Sequence, residues 1–408
     1  MDTATKMTLA DLDLRGRRLF LRVDFNVPLA GETISDDARI RAVLPTVEHC
    51  LKSGASVVLA SHLGRPKGTR DPRFSLKPVA FRLEELLGRG IPLAPDCVGP
   101  VCQTLARSLQ PGGILLLENV RFHAEEEAND SDFARALAGL ADCYVNDAFS
   151  VSHRTHASVV GITRFLQPAA AGLLMQRELA ALARVTEHPR HPVVIILGGA
   201  KISEKLGLIR QLVKKADRLL IGGAMAFTFL KALGYETGFS VVDLNLVDTA
   251  KEILAEARAS RVEILLPEDL IVAAHPGDRT YVSTQPASKI PCATMGLDIG
   301  PATLARFREA LRDAGTILWN GPMGMCERPA YAVGTTELAK AVAESPALSV
   351  AGGGDTVAAI ERAGVAAKFS HLSMGGGAFL EYLEGRELPG VAALTEVGPG
   401  LPSSSARR

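Results

Sequence analysis

The chain has 408 residues, of which 47% are hydrophobic, so it is long enough for about two or three compact domains, because single cores stop growing at roughly 250 to 300 residues. Its 45 lysine and arginine residues balance 45 aspartate and glutamate residues. This balance excludes a net electrostatic attraction of the whole protein to nucleic acid or to a lipid surface. Any binding of anions must therefore be local. We expect two domains.

The cysteines are scattered, and no C-x-x-C pair is present. This pattern is typical of reduced thiols. The N-terminus lacks a charged segment followed by an apolar stretch, and no run approaches about 18 apolar residues. We therefore predict a cytoplasmic protein without a membrane partner. The six cysteines are Cys50, Cys97, Cys102, Cys143, Cys292 and Cys326.

Short apolar runs alternate with amphipathic segments, a pattern typical of βαβ units whose parallel sheets are buried on both faces. The segment 169–187 has helix-forming composition and apolar residues at helical spacing, and it ends before Pro189. It therefore predicts a helix between two halves of the chain. The predicted strands are 19–23, 56–61, 114–117, 144–145, 193–197, 218–221, 264–266, 316–319, 348–351 and 371–373.

Polar and glycine-rich clusters follow the ends of these predicted strands. In an open α/β sheet the ligand crevice lies outside the carboxyl ends of the strands, so the clusters of each half should meet at one sheet edge. The clusters of the first half are rich in arginine and histidine, whereas those of the second half are rich in glycine.

The basic residues of the first half lie in or just after the loops at the predicted strand ends. A guanidinium binds phosphate or carboxylate in a bidentate manner, so several that face one crevice would hold a small polyanion. Any one of them alone is better explained as a solvated surface residue, but a set at equivalent strand ends is not. The set is Arg22, Arg39, His62, Arg65, Arg121, His153, Arg154 and His156.

Two pairs of polar residues in the first half have alternative interpretations. His153 and His156 either assist anion binding or cap a turn, since the chain has neither H-E-x-x-H nor Cys/His ligand spacing. Asp24 and Asn26 either contact arginines and substrate hydroxyls or form a turn before Pro28.

Glycine-rich segments characterise the second half. If a helix begins at Lys201, Lys205 shares a face with it, and a helix N-terminus with a lysine binds phosphate. The glycines of 352–354 allow close approach of a phosphate, and Asp355 either caps the following helix or holds Mg²⁺. The segment 375–377 repeats this pattern, whereas the P-loop and G-x-G-x-x-G spacings are absent.

An arginine-rich half that binds an anion, together with a glycine-rich half that suits a nucleotide, indicates phosphoryl transfer. Catalysis of that reaction consists mostly of positioning and charge neutralisation. The competing class is an NAD-dependent dehydrogenase, which would not need so many arginines and for which the G-x-G-x-x-G spacing is missing.

Eight segments, in order, resemble the motifs of the phosphoglycerate kinase family, and the resemblance extends from about residue 11 to residue 396. They are RVDFNVP at 22–28, SHLGRP at 61–66, ENVRF at 118–122, GGAK at 198–201, AMAFTFLK at 224–231, MGLDIGP at 295–301, WNGPMG at 319–324 and GGGDT at 352–356.

The resemblance implies an α/β fold of two Rossmann-like three-layer domains with parallel sheets, joined by a helix and a hinge. It implies an N-terminal 3-phosphoglycerate-binding domain at 1–172, completed by a segment at about 388–400, then a nucleotide-binding domain at 173–387 and a flexible tail at 401–408. The implied 3-phosphoglycerate ligands are Asp24, Asn26, Arg39, His62, Arg65, Arg121 and Arg154. The implied ATP or ADP ligands are Lys201, Lys205, Gly296, Asn320, Pro322, Glu327, Gly352, Gly353, Gly354, Asp355 and Thr356.

The same resemblance implies a monomeric glycolytic enzyme that moves a phosphoryl group reversibly between ATP and 3-phosphoglycerate, giving ADP and 1,3-bisphosphoglycerate. Mg²⁺ would be held by Asp355 through the nucleotide phosphates. The attacking carboxylate is ionised near neutral pH, so no general base is required. Arg39, Lys201 and the N–H groups of Gly353 and Gly376 would neutralise the transferring group.

The alternative is a catalytically weak nucleotide-binding scaffold of the same fold, against which the retention of the charged site residues argues. The chain departs from the family pattern at Ser150, where glycine is common, and at Met325-Cys326. It also has Met374 where threonine is usual and Phe379 where serine is usual, near a helix start that the resemblance ties to phosphate contact.

Overall fold

The computed structural model of the chain describes residues 6–200, 202–203, 205–278 and 282–397. The chain forms two compact units. The first comprises the chain up to Leu179 together with the segment from Glu387 onward, and the second comprises Ala180–Arg386.

In the described parts of the chain, the strands form four sheets. They are β1 (Arg18–Arg22), β2 (Leu29–Ala30), β3 (Thr33–Ile34), β4 (Ser56–Ala60), β5 (Ile114–Leu116), β6 (Cys143–Asn146), β7 (Ala169–Ala171), β8 (Val193–Leu197), β9 (Arg218–Ile221), β10 (Glu263–Leu265), β11 (Asp269–Ala273), β12 (Ser283–Pro286), β13 (Met295–Ile299), β14 (Thr316–Asn320), β15 (Leu348–Gly352) and β16 (His371–Ser373).

The α-helices alternate with these strands. They are α1 (Ala38–Lys52), α2 (Lys77–Leu87), α3 (Pro100–Ser108), α4 (Ala124–Glu127), α5 (Ser131–Ala138), α6 (Leu173–Thr186), α7 (Leu206–Val213), α8 (Ala226–Ala232), α9 (Val247–Ala259), α10 (Pro301–Leu311), α11 (Val333–Glu344), α12 (Gly354–Arg362), α13 (Gly377–Leu383) and α14 (Pro389–Ala392). Short 3-10 helices occupy Leu9–Asp11, Pro72–Phe74, Val120–Phe122, Phe149–Val151, Gly161–Arg164, Leu244–Leu246, Pro329–Tyr331 and Ala366–Lys368.

The first unit contains a five-stranded parallel sheet with the order β5-β4-β1-β6-β7. All five residues of β4 are buried, as expected for a parallel strand that is covered on both faces. Phe20 of β1 lies opposite Val58 and Tyr144 in the register, so β1 occupies the centre of the sheet. The carboxyl ends of β1, β4, β5 and β6 therefore lie along one edge.

The C-terminal segment completes the first unit. The backbone N–H of Thr395 donates to the carbonyl of Ala169 at the start of β7 (2.9 Å), and its hydroxyl accepts from the N–H of Ala169 (2.9 Å). The amide of Asn146 donates to the carbonyl of Gly390 (3.1 Å). These bonds satisfy backbone groups at the edge strand of the sheet.

The second unit contains a six-stranded parallel sheet with the order β10-β9-β8-β14-β15-β16 and a three-stranded antiparallel sheet with the order β12-β11-β13. Its larger hydrophobic core gathers around Trp319 and Phe307, neither of which has an exposed surface. The carboxyl ends of β8, β9, β14 and β15 carry the glycine-rich loops.

These observations confirm the predicted α/β class with two Rossmann-like parallel-sheet domains, and each predicted strand is present to within one residue at either end. The predicted helix over 169–187 is wrong at its start, because Ala169–Ala171 forms β7 and pairs with Tyr144–Asn146. Alanine favours helices, but pairing with the sheet edge overrides that weak preference. Within the described parts of the chain, no helix is long and apolar enough to cross a membrane.

Candidate functional site

Five basic side chains form a group at the carboxyl edge of the first sheet. Arg22 ends β1, His62 follows β4, Arg121 follows β5, and Arg154 follows β6, while Arg39 lies in the first turn of α1. We call these residues the basic cluster. Arg22, Arg39 and Arg121 act electrostatically on His62, and Arg22 and Arg154 act on Arg121. Sheet topology therefore brings together residues that are far apart in sequence.

Asp24 is the anionic partner of this cluster. Its carboxylate accepts hydrogen bonds from the Arg39 guanidinium and from the Ser150 hydroxyl, and the backbone N–H of Asn26 donates to it as well (2.9 Å). Burial alone would raise the pKa of Asp24, but His62, Arg39 and these hydrogen bonds lower it to about 2. Asp24 therefore holds Arg39 in place as a carboxylate.

Asn26 connects the loop after β1 to the loop after β4. Its side-chain oxygen accepts from the N–H of Gly64 (2.8 Å), whose φ is +62° and whose carbonyl accepts from Nη1 of Arg121 (3.0 Å). A side chain at Gly64 would also meet the Phe74 ring, so this turn requires glycine. Arg65, which follows, is exposed. Asp24 thus combines contact with an arginine and turn formation, whereas Asn26 bonds to the backbone of the neighbouring loop.

Arg121 is a buried guanidinium with spare hydrogen-bonding capacity. Burial and the neighbouring Arg22 lower its pKa to about 10, and Glu127 opposes that shift from 3.4 Å. Among the described residues its buried Nε has no hydrogen-bond acceptor with good geometry. The Glu127 carboxylate thus pairs with Nε without a well-aligned hydrogen bond, and the cations around Arg121 favour an incoming anion.

The three histidines in this region have lowered pKa values. Burial and the cations Arg22, Arg121 and Arg39 hold the pKa of His62 well below its usual range, although Asp24 opposes them. Burial and Arg154 lower the pKa of His153 to about 4, and burial and Arg121 lower that of His156 to about 3. All three are therefore neutral near pH 7, as expected beside several guanidinium groups.

Sequence reasoning missed the support beneath the cluster. Glu126 is fully buried and lies 4.0 Å from Nη2 of the equally buried Arg22. Ser158 joins them, because its hydroxyl accepts from Nε of Arg22 (2.7 Å) and donates to Glu126 (2.6 Å). Glu126 lies in the run Glu125–Glu127, which has the composition of a solvated helix start. Nothing in the sequence distinguishes it from its neighbours.

The second unit has a cavity of about 280 Å³ beside the glycine-rich loops. Four residues predicted for the nucleotide line it: Gly296, Pro322, Glu327 and Asp355. The sequence analysis did not assign a further set of lining residues, which includes Gly223, Phe227, Val241, Leu270, Met295 and Asp298. A larger cavity of about 540 Å³, lined in part by Leu233, Arg258 and Arg306, contains none of the predicted residues.

The loops after β14 and β15 are held together beside this cavity. Asn320 and Gly352 are partners in the parallel register, and the Asn320 amide donates to the Gly352 carbonyl (2.8 Å). The hydroxyl of Thr356 accepts from the N–H of Gly321 (2.7 Å). Among the predicted residues, Asn320, Gly352 and Thr356 thus shape the loops, whereas Asp355 lies exposed in the first turn of α12.

Two glycines begin helices with backbone conformations that favour glycine. Gly353 has φ +99° and precedes α12, and Gly376 has φ +49° and precedes α13. Their positions direct backbone N–H groups of the first helical turns outward, an arrangement that suits an anion.

Lys201 and Lys205 were predicted as a pair of phosphate ligands. Lys201 lies outside the described residues. The ammonium group of Lys205 donates to the carbonyl of Gly198 (2.6 Å). Lys205 immediately precedes α7, which begins at Leu206.

Asp298 is a buried carboxyl group in the lining of the cavity. It accepts from the backbone N–H groups of Gly334 (2.8 Å) and Ile299 (2.9 Å). Burial nevertheless raises its pKa to about 7, because the hydrogen bonds offset only part of the desolvation.

Two departures from the family pattern have clear positions. Phe379 is fully buried, and its ring lies where a side chain on Gly352 would be, 2.7 Å from that Cβ position. Met325 lines the cavity, and the carbonyl of Cys326 accepts from the Arg362 guanidinium (3.3 Å).

Comparison with known proteins agrees with this geometry. The family model described as phosphoglycerate kinase matches residues 9–386. The chain is 50% identical over 391 residues to the phosphoglycerate kinase of Pelotomaculum thermopropionicum, covering 96% of this chain and 99% of that protein. It is 52% identical over 389 residues to that of Geotalea uraniireducens, covering 95% and 97%.

Solved structures show the same similarity. The phosphoglycerate kinase of Coxiella burnetii superposes with a TM-score of 0.86 at 38% identity, covering 95% of this chain and 98% of that one. The enzyme of Pyrococcus horikoshii has a TM-score of 0.85 at 34% identity, with the same coverage.

Proposed function

The chain belongs to the phosphoglycerate kinase family, and from that premise we propose that its first unit binds 3-phosphoglycerate at the basic cluster while its second unit binds the nucleotide at the 280 Å³ cavity. The protein is a phosphotransferase, and a catalytically weak scaffold is not favoured. The proposed domains are 1–172 with 388–400 and 173–387.

The observation that carries the first assignment is the buried positive charge around Arg121. Arginine side chains lie close together here although their positive charges repel one another, and they help to lower the pKa values of Arg121, His153 and His156. An anion that carries a phosphate and a carboxylate relieves that repulsion and offers acceptors to the guanidinium groups. The proposed ligands are Asp24, Asn26, Arg39, His62, Arg65, Arg121 and Arg154.

The second assignment rests on the lining of the cavity. Apolar groups such as Phe227 and Leu270 suit a planar base, and the glycine loops allow phosphates to approach the backbone. The proposed ligands are Lys201, Lys205, Gly296, Asn320, Pro322, Glu327, the loop 352–354, Asp355 and Thr356.

We propose that Arg39, Lys201 and the N–H groups of Gly353 and Gly376 stabilise charge on the transferring group. The exposed carboxylate of Asp355, which also lines the cavity, is a hard oxygen ligand that fits Mg²⁺ bound with a nucleotide. When bound, Mg²⁺ neutralises charge on the phosphates. The carboxylate of 3-phosphoglycerate attacks without a base, so the protein's residues only position and neutralise.

The test measures ligand binding at each of the two sites separately. Hydroxylamine traps the acyl phosphate that forms from ATP and 3-phosphoglycerate, and calorimetry gives the affinity of each ligand. Arg39→Ala should weaken 3-phosphoglycerate binding by about 10–100-fold, as expected for loss of a charged hydrogen bond, and leave ADP affinity unchanged. Asp355→Asn should weaken Mg·ADP and leave 3-phosphoglycerate affinity unchanged.

Arg41→Ala is the matched control. Arg41 lies one half-turn along α1, its side chain is 54% exposed, and it pairs with Asp37. An equal loss for Arg39→Ala and Arg41→Ala would contradict the assignment of the first site. Loss of both affinities in either site variant would contradict the division between units.

We also propose a monomer in a reducing, cytoplasmic location, with no nucleic-acid partner. The support is the set of six unpaired cysteines and the balanced charge. Light scattering of the purified chain should give the mass of one copy, and a dimer mass would contradict this proposal.

A further inference from the structure

A second polar group in the first unit lies outside the basic cluster. Among the described residues, Asp96, Cys97 and His123 each offer one metal-ligand atom, and the three atoms lie within 4.8 Å of one another. The spacing of these residues along the chain matches neither H-E-x-x-H nor a paired Cys/His pattern. Folding brings His123 to Asp96 and Cys97 from the far side of β5.

Hydrogen bonds hold this group in place. Nε2 of His123 lies 2.7 Å from Oδ1 of Asp96, and the backbone N–H of Glu118 donates to the Asp96 carbonyl (3.3 Å). The thiol of Cys102 donates to the same carbonyl (3.1 Å). The ring of His123 also packs against Phe133, with centroids 5.1 Å apart. The ligand atoms are therefore positioned by packing and by backbone bonds, as a binding site requires.

The ligand types select the ion. A thiolate, an imidazole and a carboxylate together suit a borderline-soft divalent ion, whereas Mg²⁺ and Ca²⁺ prefer oxygen ligands alone. The side chains of Asp96 and His123 are 40% and 26% exposed, so an ion has access from solvent, while Cys97 is fully buried behind them.

We propose that Asp96, Cys97 and His123 bind a divalent transition-metal ion of the Zn²⁺ class, with water as a fourth ligand. Three protein ligands and one water form a usual tetrahedral zinc site. Two ligand atoms on such an ion lie about 3.3 Å apart, given bonds of about 2.0–2.2 Å, so the contact between His123 and Asp96 must widen by about 0.6 Å. Rotation of these two partly exposed side chains provides that movement.

Binding has a defined proton balance. The Cys97 thiol loses its proton to solvent and binds as thiolate. Nε2 of His123 gives up the proton that it donates to Asp96 in the ion-free chain, and the neutral ring then carries its proton on Nδ1 while Nε2 binds the ion. Because the thiol must lose its proton before it binds, affinity should rise with pH. The bound ion would link Asp96 through His123 to the segment that contains Arg121.

The experiment uses the untagged full chain in a Cys292→Ser background, because Cys292 is an exposed thiol that would bind metal adventitiously. Equilibrium dialysis against Zn²⁺ with excess Mg²⁺ should give one Zn²⁺ per chain. The Co²⁺ form should show a thiolate-to-cobalt charge-transfer band, which a site without thiolate lacks.

Cys97→Ser should abolish the band and lower Zn²⁺ affinity by roughly 10–100-fold or more, since loss of an outer-shell partner alone costs that much. Cys102→Ser is the matched control, because serine still donates to the Asp96 carbonyl and both readouts should persist. Far-ultraviolet circular dichroism verifies that each variant is folded. Absence of a tightly bound Zn²⁺ in the parent chain, or a band that survives Cys97→Ser, would overturn the proposal, as would equal loss in Cys102→Ser.

Discussion

Replacement of Glu126 by glutamine should destabilise the first unit, because it removes the negative charge beside a buried guanidinium. Glu126 lies 4.0 Å from Nη2 of Arg22, and neither side chain has exposed surface. At an effective dielectric constant of about 20, two unit charges at this distance attract by about 4 kcal/mol. Removing one partner of a buried pair costs roughly 3–5 kcal/mol, because the other charge stays buried.

Glutamine has nearly the shape of glutamate, so the change tests charge rather than packing. Ser158 donates to Glu126 through its N–H (2.8 Å) and through its hydroxyl (2.6 Å), and a glutamine side chain has only one oxygen to accept them. We therefore expect a loss of about 3–5 kcal/mol in the free energy of unfolding.

Urea unfolding followed by far-ultraviolet circular dichroism measures this loss. The chain has one tryptophan, Trp319, which is buried in the second unit, so its fluorescence reports that unit separately. Glu127→Gln is the matched control. The Glu127 side chain is 50% exposed and lies 3.4 Å from Arg121, so its loss should cost at most about 1 kcal/mol.

The reasoning would be refuted if Glu126→Gln cost no more than Glu127→Gln. A further check replaces both partners by apolar residues. Arg22→Met combined with Glu126→Leu should recover much of the stability lost in Glu126→Gln, because no charge then remains buried without a partner.

Three further predictions concern pH and packing. Burial and Arg121 lower the pKa of His156 to about 3 in the folded chain, so the unfolded chain binds more protons between about pH 3 and 6.5 and stability falls as pH falls through that window. His156→Gln should therefore make the free energy of unfolding in urea depend less on pH between 7 and 4.5, and an unchanged pH dependence would contradict this prediction. Burial raises the pKa of Asp298 to about 7, so the folded chain binds more protons between about pH 4 and 7 and this group's contribution to stability falls as pH rises. Asp298→Asn should remove that fall when unfolding is followed by fluorescence at pH 5 and 8, and an equal pH dependence of stability in the parent chain and the variant would argue against this prediction. Gly352→Ala places a Cβ 2.7 Å from the Phe379 ring and should lower the free energy of unfolding by about 1–3 kcal/mol, and Phe379→Ala should lower it by about 3–5 kcal/mol. The double variant should lose clearly less than the sum of these two losses, and additive losses would show that the two positions do not contact.

Part of the site was predictable because it depends on local order. The runs at 193–197 and 218–221 coincide with β8 and β9. Asp24 and His62 lie in loops that follow strand ends, and Asp355 lies in the first turn of the helix after β15. A buried parallel strand needs a continuous apolar run, and its carboxyl end needs a turn, so both leave a pattern that a reader of sequence recognises. Arg39 belongs to the same basic set, although it lies in the first turn of α1, after the loop that follows β1.

Other features depend on which segments meet in space. Ser150 stands where the family commonly has glycine, and only the folded chain shows that its hydroxyl donates to Asp24. The alanines of 169–171 form a strand because β6 offers an unpaired edge, and local helix preference is too weak to resist that pairing. The ligand group of Asp96, Cys97 and His123 has no recognisable spacing.

The sequence by itself determined the order of strands and helices, the class of fold and the separation of an arginine-rich half from a glycine-rich half, because these follow from periodicity and composition along the chain. The tertiary structure alone decided which charges are buried. Glu126 and Glu127 are adjacent and chemically identical, yet one is enclosed with Arg22 and the other is half exposed. Burial is set by contacts between distant segments, and it shifts the pKa values of groups such as Asp298 and His156.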